Sequence, residues 1–273
     1  MRKPLVTVAL VLACWPSLVL AQATPLPPSP AAASQAPDGW TLVFADEFDR
    51  PGAPDPAKWN YELGYIRNKE AQFYTSRSEN VRVEGGNLVI EARKEPYEGF
   101  AYTSASINTR GRFEFLYGRV EVRAKLPAGR GAWPAIWMLG ANRGEVRWPA
   151  CGEIDIMENV GFDPLRVHAS VHTAAYNHVA GTQKTASVEI DDPSEAFHVY
   201  AMEWHPGRID AFVDGRKYFT FENEGTGNDA WPFDKPQYLL INLAVGGAWG
   251  GQKGIDDSSF PMRCLVDYVR IYR

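Results

Sequence analysis

Three acidic residues lie close together in the segment Gly152 to Asn159, which reads GEIDIMEN, with only Ile, Ile and Met between them. Carboxylates this close repel one another, and apolar neighbours raise the free energy needed to ionise all of them. A purely structural strand seldom carries this pattern, so we interpret Glu153, Asp155 and Glu158 as catalytic residues. The alternatives are an exposed strand edge or a calcium site, but calcium loops favour Gly, Asn and backbone oxygens over a β-prone run.

The spacing of the acids predicts an irregular strand. Side chains alternate along a regular strand, so Glu153 and Asp155 share a face while Glu158, five residues after Glu153, points away. A β-bulge at Ile156-Met157 would return Glu158 to the face of the other two acids. We therefore predict a bulge there.

A bulged strand of this kind suits the hydrolysis of an acetal between sugars. That reaction needs one carboxylate at the anomeric carbon and one carboxylic acid that protonates the leaving oxygen, and Glu153 and Glu158 can divide these tasks. Asp155 between them would hold the nucleophile and separate the two titrations. A separation of about 5 to 5.5 Å would give retention and one of about 6.5 to 9.5 Å inversion, and the sequence leaves both open.

The rest of the chain predicts an all-β domain. Runs of four to nine residues with alternating polarity end at Gly, Asn, Asp or Pro, and Tyr117 to Leu126 is the clearest of them. Asp214-Gly215 is a strong hairpin signal. No amphipathic helix of three turns stands out, and about a dozen strands in residues 39–273 imply one two-sheet sandwich.

The first 38 residues have a different composition. Residues 1–23 begin with Arg2 and Lys3, continue as an apolar run and end in Ala21-Gln22-Ala23, which is typical of a secretory signal peptide and too short for a membrane span. Residues 24–38 are rich in Pro and Ala and are interpreted as a linker. We expect export to the periplasm or the medium; the alternative is processing before Cys14, which would leave a lipid anchor at the cell envelope.

Charge and cysteine content limit the partners. Loss of Arg2 and Lys3 with the signal peptide changes the formal charge from -5 to -7, which disfavours nucleic acid and is compatible with a neutral polymer. We expect a monomer. Cys151 and Cys264 would remain after cleavage, either as a disulfide or as two buried thiols.

The acidic strand resembles the E-x-D-x-x-E signature of glycoside hydrolase family 16, in the form typical of laminarinase-like members. The similarity extends over nearly all of residues 40–272 and includes the following segments: Asp46 to Asp49, Asn68 to Thr75, Trp133 to Met138, Val171 to Thr173, Val213 to Gly215, Gly246 to Gly251 and Val266 to Arg270.

The resemblance implies a concanavalin-like β-jelly roll with a substrate cleft across its concave sheet, and retaining hydrolysis of β-glycosidic bonds. It implies that Glu153 is the nucleophile, Glu158 the acid/base and Asp155 the assisting acid. No cofactor is expected for catalysis.

The resemblance also implies residues that bind the polymer. Flat aromatic side chains bury the CH faces of sugar rings, and the positions that match cleft aromatics are Trp133, Trp137 and Trp249. His172 matches a histidine near the acid/base, and Asn68 matches an asparagine that contacts sugar hydroxyls, with Glu70 and Gln72 on the same face. Core packing is the alternative for the tryptophans, and a structural role is the alternative for His172.

Many members of the family carry a structural calcium ion on the convex face. The matching positions are Glu47, the backbone carbonyl of Gly86, and Asp267, which are oxygen donors of the kind that calcium takes. The alternative is that Glu47 and Asp267 are ordinary surface groups.

The leading functional hypothesis is a secreted endo-acting enzyme that cleaves β-1,3-glucan of the laminarin type or mixed-linkage β-1,3-1,4-glucan. The alternatives are an agarase-type or carrageenase-type enzyme, a transglycosylase of the same fold, and a glucan-binding homologue without activity. A binding protein has no need for Glu153 and Glu158. The linkage, the chain length and the choice of endo or exo action do not follow from the sequence.

Overall fold

The computed structural model describes residue 37 and residues 39–273. The predicted signal peptide, Cys14 and almost all of the predicted linker lie outside these residues. Within the described part, no helix is long and apolar enough to cross a membrane.

Strands are the main regular structure of the described chain, as the alternating pattern predicted. Seventeen are found in the described residues, and in chain order they are β1 Leu42–Asp46, β2 Asn60–Glu62, β3 Gln72–Tyr74, β4 Val81–Glu84, β5 Asn87–Tyr97, β6 Phe100–Ser104, β7 Ser106–Asn108, β8 Gly118–Lys125, β9 Ala132–Gly140, β10 Glu153–Val160, β11 Asp163–His172, β12 Lys184–Glu189, β13 His198–His205, β14 Arg208–Val213, β15 Arg216–Glu222, β16 Gln237–Val245 and β17 Met262–Tyr272. The helical elements are short: one α-helical turn, α1 Gly247–Gly250, and two 3₁₀ turns at Ala141–Gly144 and Asp257–Ser259.

The strands form two sheets. The larger, of ten strands, has the order β15-β14-β13-β8-β17-β5-β6-β3, with β1 added on β17 and β4 on β5. The smaller, of seven strands, has the order β12-β11-β10-β9-β16-β7-β2. Almost all neighbours are antiparallel, and the exception in the larger sheet is the pair β3 and β6. This is the two-sheet sandwich that the sequence predicted.

The main core lies between the sheets and explains the alternation along the strands. In β8, the fully buried Val120, Val122 and Ala124 face the core, because successive side chains of a strand point to opposite faces. Strand β16 is different, since all nine of its residues are buried. It lies in the middle of the smaller sheet, where a second apolar cluster that includes Trp137 and Leu240 covers the other face.

Tight turns connect neighbouring strands, and the predicted hairpin at Asp214-Gly215 joins β14 to β15. Both residues have positive φ, 49° and 75°, as a two-residue turn between twisted strands requires. The acidic strand β10 is placed by a short hairpin to β11 and by β9 on its other side. The catalytic candidates therefore lie near the centre of the smaller sheet.

Candidate active site

Strand β10 contains the predicted bulge. On the β9 side, Asp155 pairs with Trp137 and Met157 pairs with Ile136, so that Ile156 has no partner in that register. On the β11 side, Asp155 and Glu158 lie opposite Ser170 and His168, which are only two residues apart. The extra residue restores the alternation, because Ile154, Ile156 and Met157 are all buried in the core between the sheets. The prediction of a bulge at Ile156-Met157 is confirmed.

The two glutamates are each held by an indole. Trp133 Nε1 donates to Glu158 Oε1 at 3.0 Å, and Trp148 Nε1 donates to Glu153 Oε2 at 2.9 Å. Hydrogen bonds to charged acceptors are stronger than those to neutral ones, so each indole stabilises the ionised carboxylate and fixes its rotamer. Trp148 was not predicted, although its position five residues before Glu153 is visible in the sequence.

Asp155 and His172 form the buried support of the site. His172 Nε2 lies 3.2 Å from Asp155 Oδ2 and 3.7 Å from Glu153 Oε1, and both residues are more than nine-tenths buried. The sequence placed His172 beside the acid/base; the structure places it opposite Glu153 in the β10–β11 register, while His168 stands opposite Glu158. His172 is therefore a neighbour of Asp155 and the predicted nucleophile.

Burial raises the pKa of all three carboxyl groups. The pKa of Glu153 is raised to about 8 by burial and then by the charge of Asp155, and that of Glu158 is raised to about 8 for the same two reasons. Burial alone raises the pKa of Asp155 to about 8. Groups this close titrate as a unit, so the three share fewer than three negative charges at neutral pH. One group can then be ionised while a neighbour keeps its proton.

Among the described residues, Glu153, Asp155 and His172 also form a group whose donor atoms could bind a metal, since these atoms lie within 4.8 Å of one another. The carboxylate and imidazole types are suitable ligands for several metals. The group suits acid-base chemistry without a metal equally well. Trp148 donates a hydrogen bond to Glu153, and Glu158 lines the same depression.

The predicted aromatic residues all line the cleft, but they are not equally exposed. Trp133 and Trp249 are half-buried and meet edge to face with centroids 5.7 Å apart. Trp137 is only 7% exposed, and its Nε1 donates to Asn242 Oδ1 at 2.8 Å. Trp137 thus belongs to the floor of the cleft. Trp133 and Trp249 present more of their surface to a sugar ring.

Trp249 is placed by a glycine-rich turn that needs its glycines. Gly247 has φ +76°, and a Cβ there would lie 3.1 Å from the carbonyl oxygen of Asn68. At Gly250 a Cβ would lie 2.8 Å from Cβ of Trp133. Glycine allows both the positive φ and the close approach, which brings α1 against β9.

The predicted face of Asn68, Glu70 and Gln72 is present as a hydrogen-bonded row beside the cleft. Gln72 Nε2 donates to Glu70 Oε2 at 2.7 Å, and Asn68 Nδ2 donates to Glu70 Oε1 at 3.4 Å. Glu70 is buried, which raises its pKa. Asn68 lines the cleft directly, with φ +57°. Glu70 also lines the cleft, whereas Gln72 acts from behind by fixing Glu70.

The loop before Asn68 contributes a residue that the sequence did not identify. Arg67 forms an ion pair with Glu62 on β2, and its guanidinium lies over the Trp137 ring at 5.0 Å. A second unpredicted contribution comes from the loop after β11, where His178 and the exposed Val179 overhang the cleft. The His178 ring lies 5.0 Å from the Trp148 ring. Both loops were recognisable only as turns in the sequence.

The cleft consists of two depressions that meet at the glutamates. One, of about 300 Å³, extends over β9 and β16 and is lined by Arg67, Trp137 and Asn242. The other, of about 510 Å³, extends over β11 and β12 and is lined by His168, Thr185 and Trp249, with further residues from the same strands. Glu153 and Glu158 line both. A chain that crosses the sheet can therefore contact protein on both sides of the carboxylates.

The predicted calcium ligands come from neighbouring parts of the larger sheet. Glu47 follows β1, whose Asp46 pairs with β17, and Asp267 lies in β17. Gly86 lies in the turn before β5, another neighbour of β17. The donor types fit calcium. Both Glu47 oxygens accept hydrogen bonds from Arg270 at 2.8 Å, and Asp267 Oδ2 accepts one from Arg123 at 2.7 Å, so an ion would have to displace or share these partners.

Cys151 and Cys264 are both free and buried. Burial raises the pKa of Cys151 to about 11 and that of Cys264 to about 12. Cys151 lies in the apolar cluster below the cleft, whereas Cys264 belongs to the core between the sheets. Of the two alternatives from the sequence, the structure shows two buried thiols.

A two-sheet sandwich that presents buried carboxyl groups in an indole-lined cleft defines a carbohydrate-active hydrolase of the jelly-roll class. Comparison with known proteins identifies the family. The model of glycosyl hydrolases family 16 matches residues 68–270. The chain is 55% identical over 244 residues to a beta-glucanase of Rhodothermus marinus, with 86% of this chain and 85% of that protein covered.

Solved structures agree with this match. The laminarinase of Rhodothermus marinus superposes with a TM-score of 0.84 at 53% identity, covering 86% of this chain and 97% of that one. A non-specific endo-beta-1,3(4)-glucanase of the same family, co-crystallised with 1,3-beta-D-cellotriosyl-glucose, superposes with a TM-score of 0.84 at 49% identity, covering 87% and 96%. The chain belongs to glycosyl hydrolases family 16 and is a laminarinase-like glycosidase.

Proposed function

We propose that this protein is an endo-acting β-glucanase that cleaves β-1,3 linkages in laminarin-type glucan and in mixed-linkage β-1,3-1,4-glucan by a retaining double displacement. The observation that carries the proposal is the bulged strand β10, which aims Glu153, Asp155 and Glu158 into the junction of two depressions. The names of the similar proteins, a laminarinase and an endo-beta-1,3(4)-glucanase, support the choice of substrate.

The roles of the glutamates follow from their neighbours. Burial and Asp155 raise the pKa of Glu153, and His172 and Arg67 lower it. His172 lowers the pKa of Glu158 as well, so Arg67 is the neighbour that favours the ionised form of Glu153 alone. In the first step the Glu153 carboxylate attacks the anomeric carbon while Glu158 gives its proton to the leaving glycosidic oxygen. In the second, the Glu158 carboxylate takes a proton from water, and the water oxygen displaces Glu153 from the sugar.

Endo action is supported by the two depressions. An enzyme that removes sugars only from a chain end needs a wall on one side of its catalytic residues. Here the described surface continues from the glutamates over β16 in one direction and over β12 in the other. A polymer can therefore extend past the glutamates in both directions.

The alternatives are enzymes of the same fold that cut agar or carrageenan, and transglycosylases. A sulfated galactan would favour a basic cleft. The whole chain has a formal charge of -5, and loss of Arg2 and Lys3 makes it -7, which opposes binding of a sulfated polymer. A binding protein without activity would not need an indole donor on each of two half-buried glutamates.

Digestion of laminarin, mixed-linkage glucan, agarose and xyloglucan, followed by identification of the products over time, tests the substrate. We expect oligosaccharides of several lengths from the first two polymers at early times, with the newly formed reducing ends in the β-configuration. Cleavage of agarose alone would contradict the proposal, and release of a single small sugar would contradict endo action.

Azide tests the assignment of the two glutamates. In Glu153→Gly the small anion can replace the missing nucleophile and attack an aryl β-glycoside directly, which gives an α-glycosyl azide. In Glu158→Ala it attacks the glycosyl enzyme, which gives a β-glycosyl azide. The opposite pair of products would reverse the roles.

We also propose a structural calcium ion at Glu47, Gly86 and Asp267, which would tie β1, β17 and the β4–β5 turn together. The support is that the three oxygen donors belong to β17 and to segments next to its partners β1 and β5 in the larger sheet. We expect added calcium to raise the thermal midpoint by a few degrees relative to a chelator, since binding to the native state alone stabilises it. Asp267→Asn should lose this response. An equal midpoint with calcium and chelator would remove the site.

Export remains a proposal that rests on residues 1–23. We expect the protein in the periplasm or the medium with an amino terminus close to residue 24. If it fractionates with membranes and Cys14→Ser releases it, the lipid-anchored alternative is correct.

A further inference from the structure

Two β-bulges, one in each sheet, face each other across the core. The first is the bulge of β10, where Ile156 has no partner in β9. The second lies in β15 of the larger sheet, where Phe219 pairs with Ala211 and Lys217 pairs with Phe212, so that Tyr218 has no partner in β14. Each bulge frees one residue from its strand register.

The second bulge changes the direction of one side chain. Phe219 and Phe221 point into the core, and regular alternation would turn Tyr218 outward with Thr220. Tyr218 instead packs against the core, and its hydroxyl donates to the backbone carbonyl of Ile156 at 3.3 Å. The two irregular residues are thus connected by a hydrogen bond from one sheet to the other.

The electrostatic environment of Tyr218 is consistent with this position. Burial raises the pKa of Tyr218, and the charges of Glu158 and Asp155 raise it further. The phenol therefore stays protonated and remains a hydrogen-bond donor over the pH range in which the carboxyl groups titrate.

We propose that Tyr218 is a positioning residue of the active site, which holds the β10 bulge in register and thereby keeps Glu158 on the face of Glu153 and Asp155. This inference rests on the roles proposed for the two glutamates. The regular part of β10 already fixes Glu153 and Asp155 through their partners Leu139 and Trp137. Glu158 follows the bulge, so its position depends on the geometry of Ile156 and Met157.

The consequence for catalysis is specific to proton transfer. If the bulge relaxes, the Glu158 carboxyl moves relative to the leaving oxygen, while the Glu153 carboxylate keeps its place at the anomeric carbon. A sugar leaving group needs the proton, whereas a dinitrophenolate leaving group departs without it. A defect at Glu158 should therefore appear on glucan and be nearly absent in the first step on an activated aryl glycoside.

The test compares Tyr218→Phe with Tyr200→Phe. Tyr200 is a buried tyrosine of the same sheet whose hydroxyl has no hydrogen-bond partner among the described residues, and it makes a matched control. We expect Tyr218→Phe to lower kcat on laminarin by about tenfold or more with little change in KM, because small displacements of catalytic groups cost up to about 10²-fold. On a dinitrophenyl β-glycoside its kcat/KM should stay within about twofold of the wild type.

The outcomes separate the two proposals. Equal activities of Tyr218→Phe and Tyr200→Phe on laminarin would overturn the positioning role, and so would an equal loss on both substrates, which would indicate a general structural defect. If the wild-type protein itself cleaves no β-1,3-glucan, the proposed function fails first. Should Tyr218→Phe not fold, Tyr218→Met, a smaller and more flexible side chain without the hydroxyl, gives the same comparison.

Discussion

Replacement of Glu153 by Gln should separate the chemical role of this residue from its effect on stability. The amide has the size of the carboxyl group and can accept the same hydrogen bond from Trp148 Nε1, now 2.9 Å from Oε2. It cannot attack the anomeric carbon or carry the charge. We expect kcat to fall by more than about 10³-fold, as for other residues that form a covalent intermediate.

The same substitution should stabilise the folded protein at high pH. Glutamate in the unfolded chain titrates near its ordinary pKa of 4.5, and burial raises the pKa of Glu153 in the folded protein to about 8. Between these values the native state binds a proton that the unfolded state has released, so the free energy of unfolding decreases as pH rises through this window. The stability that the bound proton contributes is fully present below pH 4.5 and is lost as pH rises through 8.

The pKa shift of Glu153 sets the size of the effect on stability. A shift from 4.5 to about 8 corresponds to at most roughly 5 kcal/mol. The Glu153 side chain is 15% exposed, so solvent screens its charge little. Asp155 is coupled to Glu153, and it takes up part of the proton affinity when Glu153 is replaced. We therefore expect Glu153→Gln to be about 2 kcal/mol more stable than the wild type at pH 8.5 and nearly equal at pH 4.5.

Urea unfolding at these two pH values measures the change, and release of reducing ends from laminarin measures turnover. The control is Glu222→Gln, an exposed residue of β15, which should leave both quantities unchanged. A Glu153→Gln protein with near-native turnover would refute the assigned chemistry. A stability difference that does not grow with pH would refute the argument from burial.

Two further substitutions test the indoles of the cleft. Trp148→Phe removes the hydrogen-bond donor to Glu153. Since a hydrogen bond to a charged group contributes about 1.5 to 3 kcal/mol, kcat should fall by roughly 10- to 100-fold. The control is Trp231→Phe, because Trp231 Nε1 has no partner among the described residues. Trp249→Ala should raise KM for laminarin by roughly 3- to 10-fold through lost stacking, with little effect on an aryl glycoside, whereas Trp40→Ala, outside the cleft and near His205, should not.

The fold and the catalytic strand could be predicted because their signals are local. Polar and apolar residues alternate along a strand because one of its faces is buried, and the sequence of β8 alternates in this way from Arg119 to Lys125. The bulge was predictable for the same reason. An odd spacing between Glu153 and Glu158 conflicts with the period of a strand, and one extra residue is the smallest change that resolves the conflict.

The contacts around the glutamates could not be predicted in the same way, because they join residues far apart in the chain or lie in irregular loops. Trp148 belongs to a loop whose path the sequence does not specify, and Arg67 meets Trp137 only after β2 and β9 are in place. His172 was expected near the acid/base. The register of β10 and β11, which the motif does not specify, places it opposite Glu153, and it also lowers the pKa of Glu158.

The site illustrates how two chemically identical residues acquire different properties on one strand. Both glutamates are half-buried and both accept a hydrogen bond from an indole, so neither burial nor Trp133 and Trp148 can distinguish them. The difference comes from Arg67. Arg67 lowers the pKa of Glu153 and does not act on that of Glu158, whereas His172 lowers both. Glu158 lies beyond the bulge, with His168 opposite it. Burial lowers the pKa of His168, which keeps that ring neutral. The bulge therefore does more than turn Glu158 toward the cleft: it also places Glu158 opposite a neutral histidine, where a carboxyl group keeps its proton until the leaving oxygen needs it.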